Sequence, residues 1–93
     1  MFDNRIIKVK TIYFEIPRFP NIDFSAELSD DGKSITTLEA SYDYFDYEDI
    51  EKDDWANVGG GYKMMFNSET GTLRYRCNGR KGGIDLYKVL GLV

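Results

Sequence analysis

Histidine is absent from this 93-residue chain, and cysteine (1), tryptophan (1) and proline (2) are scarce. Without histidine the commonest general base is missing, which removes most catalytic triads and every Cys/His metal site. A lone Cys77 has no partner for an internal disulfide, and a reducing, cytoplasmic setting is expected. No apolar run approaches the roughly 18 residues that span a bilayer, and MFDNRIIKVK does not have the plan of a signal peptide. A membrane protein is therefore not expected. Aromatic residues are plentiful (15%), apolar residues make up 42% and charged residues 30%, a balance that suits a folded domain and argues against a disordered tail. The length predicts one domain spanning 1–93 with one core.

The net charge of −4 conceals a strong division. Residues 1–22 carry four basic and two acidic side chains, and residues 55–93 carry six basic and two acidic ones. Between them, residues 23–54 hold twelve carboxylates against Lys33 and Lys52, a net −10. Seven of those carboxylates fall within DYFDYEDIEKDD (43–54), interleaved with Tyr44, Phe45, Tyr47 and Ile50 and followed by Trp55. So many large apolar groups set this segment apart from a disordered acidic tract.

Hydrophobic periodicity predicts a mainly β (α+β) fold: about five antiparallel strands in one sheet or a small open barrel, with one or two short helices. RIIKVKTIYFEI (5–16) reads as a long strand, with a change of parity near Thr11, ended by Pro17 and Pro20. Ile22, Phe24, Ala26 and Leu28 alternate with polar residues whose face carries Asp23 and Glu27. SDDGKS (29–34) is a hairpin turn, and 34–45 is the return strand with Leu38, Ala40, Tyr42 and Tyr44 on one parity. The segment from Asp46 to Trp55 reads as a short helix capped by Asp46, with Glu48 and Asp49 in its first turn. The clearest hairpin joins Tyr62–Asn67 to 72–77 through SETG; NGRKGG (78–83) is a turn region, and a helix is expected over 84–90.

Enzymatic motifs fail their spacing. Gly32-Lys33-Ser34 imitates the end of a phosphate-binding loop, but Glu27 stands where its first glycine is needed. The triple glycine 59–61 has Met64 where the dinucleotide fingerprint needs glycine. Asp49, Glu51 and Asp53 begin like a calcium loop, yet Asp54 replaces its turn glycine and Gly60 its bidentate glutamate. Cys77 lies on the apolar parity of its strand and reads as a small hydrophobe. No enzyme, cofactor or metal is expected.

The leading expectation is a small acidic inhibitory protein that imitates DNA and blocks a nucleic-acid-handling enzyme. Its partner would be a protein with a basic surface, a nuclease or another nucleic-acid-binding protein. The surface would be Asp43, Tyr44, Asp46, Tyr47, Glu48, Asp49, Glu51, Asp53, Asp54 and Trp55, with Tyr42 as a further aromatic anchor. In size and charge alone the chain resembles small acidic phage proteins that disarm restriction or CRISPR nucleases, and immunity proteins that neutralise nuclease toxins; the likeness covers no motif. A rival reading is a single-stranded nucleic-acid binder using Lys63, Arg74, Arg76, Arg80 and Lys81 beside Tyr62 and Tyr75. Tyr62 and Tyr75 share the inward parity, however, which removes them as stacking platforms. A third reading is a homo-oligomer in which the acidic middle of one copy meets the basic end of another.

Overall fold

The computed structural model of the protein describes residues 10–43 and 46–92. It is built from two four-stranded antiparallel meanders that share one core. The first comprises β1 (Lys10–Glu15), β2 (Ile22–Leu28), β3 (Ile35–Tyr42) and β4 (Glu48–Ile50), in that order across the sheet. The second comprises β5 (Ala56–Gly59), β6 (Tyr62–Asn67), β7 (Thr72–Cys77) and β8 (Arg80–Asp85), again in sequence order. A single-turn helix, α1 (Leu86–Val89), follows with Asp85 as its N-cap. A mainly β fold was expected and is observed; the expected five or so strands in one sheet or a small open barrel are corrected to eight strands in two sheets among the described residues. Among the described residues no helix is long and apolar enough to cross a membrane.

Alternation decides which side of each strand is buried. In β2, Ile22, Phe24, Ala26 and Leu28 face the core, and the register places Phe24 against Ala40 and Ala26 against Leu38 of β3. Phe14 of β1 stacks on Phe24, its cross-strand partner, with ring centroids 5.3 Å apart. A bulge between Glu27 and Leu28 resets the register so that Leu28 meets Ile35. In the second sheet Met64, Phe66 and Leu73 are buried, and Phe66 lies directly across from Leu73.

Two aromatic residues join the sheets. Phe19, in the loop after Pro17, is almost fully buried and meets Tyr62 and Tyr75 edge-on, at 5.3 and 5.0 Å between centroids. Tyr87 of α1 is buried against Phe66, accepts a hydrogen bond from the Ile35 amide (3.0 Å) and donates one to the Ser68 carbonyl. Its ring passes over Gly71, where a Cβ would lie 2.4 Å from the Tyr87 Cδ2. The φ of +77° at Gly71 is also one that favours glycine.

Three expected elements are corrected. Residues 46–55 form no helix: Glu48–Ile50 pairs with β3, with Asp49 opposite Glu39 and Ile50 buried opposite Leu38. Two helical turns are marginal in isolation, whereas the edge of a preformed sheet supplies backbone partners and a place to bury Ile50. The turn region 78–83 contracts to Asn78-Gly79, and Arg80–Asp85 is a strand paired along its length with β7. The C-terminal helix is confined to Leu86–Val89, since Ile84 and Asp85 complete β8. The early part of the leading strand, 5–9, and its parity change lie outside the described residues except at Thr11 and beyond, where Ile12 and Phe14 pack inward and Tyr13 outward.

Candidate functional site

Each sheet turns one face to the shared core, and the opposite parity of each sheet concentrates charge of one sign. On the first sheet the positions of the other parity are Thr11, Tyr13 and Glu15 of β1; Asp23, Ser25 and Glu27 of β2; Thr37, Glu39 and Ser41 of β3; and Asp49 of β4, of which Ser25 and Ser41 are buried and the rest at least partly exposed. Five are carboxylates and none is basic. Glu15 stands directly opposite Asp23, and Glu39 directly opposite Asp49, arrangements that cost stability when both partners are ionised. Tyr13 is 72% exposed on this face and Tyr47 42% exposed. Tyr47 belongs to the same cluster: its hydroxyl's pKa is raised, first by desolvation and then by the charge of Asp23, the neighbouring Tyr13 and Glu39.

The carboxyl of Glu39 is likewise held above its ordinary value. Burial is the largest cause, followed by a hydrogen bond with Asp49 and the negative charges of Asp49 and Glu27. Among the described residues the one ion pair is Lys52–Glu69 at 3.3 Å, which includes none of the five carboxylates of this face. No three carboxylates among the described residues converge as metal ligands would.

The outward parity of the second sheet carries a basic cluster at one end, with Asp85 of β8, opposite Thr72, at the other. Lys63 of β6 lies opposite Arg76 of β7, which lies opposite Lys81 of β8, and Arg74 follows one step along the same face. All four are exposed. Trp55, half-buried just before β5, receives the guanidinium carbons of Arg74 at 5.5 Å and Arg76 at 5.2 Å from its ring centroid. Arg80 is separated from this group, because it falls on the inward parity opposite Cys77. It lines a cleft of about 820 Å³ at the end of the sheet with Arg18, Phe19, Tyr62 and Tyr75, which Lys81 also borders. There Arg18 donates to the Tyr75 hydroxyl at 2.6 Å.

The acidic aromatic segment is thus divided by the fold. Tyr47 and Asp49 join the acidic sheet face. Asp46 and Glu48 line a separate cleft of about 680 Å³ with Tyr42, Asn57 and Gly60. Glu51, Asp53 and Asp54 are exposed in the connection between the sheets, and Asp43 is exposed at the end of β3 with a φ of +57°. Tyr44 lies outside the described residues. Tyr42 is engaged structurally, its ring packed over Gly59 and Gly60 and against the core. Tyr62 and Tyr75 are half-buried around Phe19, in keeping with their inward parity.

Sequence reasoning missed Tyr13, Glu15 and Glu39 as members of the charged face. The available signal was alternation: each lies on the polar parity of its strand, as do Asp23 and Glu27. No family model, curated protein or solved structure matches the chain.

Proposed function

We propose that the protein is a small acidic binding protein that docks the outer face of its first sheet onto a basic protein surface, in the manner of a DNA mimic blocking a nucleic-acid-handling enzyme. The observation that carries this reading is the set Glu15, Asp23, Glu27, Glu39 and Asp49 on one sheet face with no cation among them. The β2 positions Asp23 and Glu27 bound the set at about 14 Å along the strand, which leaves roughly one charge per 3.5 Å. Duplex DNA presents about one phosphate per 3.4 Å of axis for one strand and about one per 1.7 Å for both, so the face comes near the density of one strand.

A rigid lattice of this kind attracts a groove that has evolved to grip phosphates, and complementary charge accelerates the encounter. Tyr13 and Tyr47 add apolar area that gains energy once desolvated. The protein acts here by occupancy and not by chemistry. Exposed Asp43, Glu51, Asp53 and Asp54 extend the negative field around the face without belonging to it.

The test compares the native protein with a variant in which Glu15, Glu27 and Glu39 become Gln and Asp23 and Asp49 become Asn. Partners from the native host are captured on each at low salt, and duplex DNA is then added. Mimicry predicts capture of a nucleic-acid-binding protein by the native chain alone, and its release by DNA. Equal capture by the amide variant, or a complex indifferent to excess DNA, rejects the reading.

A further inference from the structure

The row Lys63, Arg76, Lys81 crosses three neighbouring strands at directly opposed positions, so its members are spaced by about 4.8 Å. Like charges directly across a ladder destabilise a sheet, and here three occur in succession with Arg74 adjacent. Among the described residues none of the four is ion-paired. Trp55 holds Arg74 and Arg76 in place through its ring but supplies no opposite charge. Lys63, Arg76 and Lys81 together line a cleft of about 370 Å³ that reaches the turns at Gly61 and at Asn78-Gly79.

We infer that this row is a binding track for the phosphodiester backbone of a single-stranded nucleic acid, taken without regard to base sequence. Four features select that ligand. Three cations in line match a chain of regularly spaced charges better than one compact anion. The track is one charge wide, whereas a duplex offers two phosphate rows across a groove of about 12 Å. An acidic protein partner would need exposed apolar anchors, and the one tryptophan on this face is already covered by two guanidinium groups. Sequence independence follows from the aromatic placement, because Tyr62 and Tyr75 pack around Phe19 and offer no stacking platform on this side. The net charge of the chain is −4, but the carboxylate lattice lies on the other sheet, so the molecule is electrically two-sided and binds a strand with its acidic face directed away. The inference is independent of the acidic-face reading, since no residue is shared.

The experiment measures fluorescence anisotropy of a labelled oligo-dT strand titrated with the intact protein. Neutralising three phosphates predicts a slope of log K against log salt of about −2, or roughly 20-fold weaker binding at about 200 mM than at about 50 mM salt. Arg76→Gln and Arg80→Gln each remove one positive charge from the same hairpin, four residues apart. Arg76→Gln should weaken binding several-fold, while Arg80→Gln, on the opposite parity, should leave it nearly unchanged. The triple variant Lys63→Gln, Arg76→Gln, Lys81→Gln should abolish binding with its circular dichroism unaltered. Five outcomes overturn the inference: no binding at low salt, equal losses for the two single variants, equal affinity for duplex, displacement by free triphosphate at concentrations equimolar with the strand, or salt-sensitive self-association in sedimentation with no affinity for the strand. The last would assign the row to the acidic face of a second copy.

Discussion

Glu39 on β3 faces Asp49 on β4 directly across the strand pair, so ionisation of both would set two like charges side by side. Glu39 therefore keeps its proton to a higher pH in the folded chain than its ordinary value of about 4.5. An acid whose folded-state pKa is raised contributes stability that is fully present below the unfolded value and is lost as pH rises through the folded one. Urea unfolding should show a fall in stability from about pH 4 toward neutrality in the native chain. Glu39→Gln keeps a donor for Asp49 without the titration, so it should be the more stable protein at neutral pH and should flatten this part of the profile. An unchanged profile in the variant would show that Glu39 does not control it.

The acidic face as a whole strains the fold. Converting Glu15, Asp23, Glu27, Glu39 and Asp49 to their amides should raise the melting temperature, and the gain should be largest at low ionic strength, where screening is weakest. The native chain should in turn be stabilised by added salt while the variant responds little. Thermal melts of both proteins across a salt series read this directly, and parallel responses would mean that repulsion within the face is negligible.

Gly71 and Gly32 provide a matched comparison. Both have positive φ, +77° and +72°, yet a Cβ at Gly71 would strike the Tyr87 ring while one at Gly32 meets open space. Gly32→Ala should cost about 1–2 kcal/mol from backbone conformation alone. Gly71→Ala adds overpacking of about 1–3 kcal/mol and should be clearly the worse of the two. Denaturant midpoints of the two variants check the difference.

Tyr87→Phe keeps the ring and removes the hydroxyl that accepts from the Ile35 amide and donates to the Ser68 carbonyl. The amide of buried Ile35 loses its acceptor, and a loss of about 1–3 kcal/mol is expected. Native-state hydrogen exchange should speed up at Ile35 in particular. If that amide exchanges as slowly as before, the hydroxyl is not its partner in solution.

Much of the architecture was legible where one face of a strand is buried. Ile22 to Leu28 and Tyr62 to Cys77 alternate because their inward positions must be apolar, and these strands lie where alternation put them. β4 and β5 were not legible. Three residues, Glu48–Ile50, are too few to display a period, and Ala56–Gly59 includes Asn57 and Gly59, both poor strand formers. Their pairing depends on partners far along the chain. The charge division was visible as segment totals, and it became two opposed faces only through register: nothing local to Glu39 announces that Asp49 lies across from it, or that Arg76 stands between Lys63 and Lys81. The acidic run 43–54 misled because proximity in sequence is not proximity on a sheet, where neighbours along a strand point to opposite sides.

The two hydrogen bonds of the Tyr87 hydroxyl also bear on the order of assembly. Each meander is made of sequential hairpins and can pair by itself, but the clasp that joins Ile35 to Ser68 comes from α1, which follows both sheets in the chain. A chain in which α1 has not yet docked therefore holds two paired sheets with their apolar sides incompletely closed, and its exposure to misassembly is concentrated in that interval.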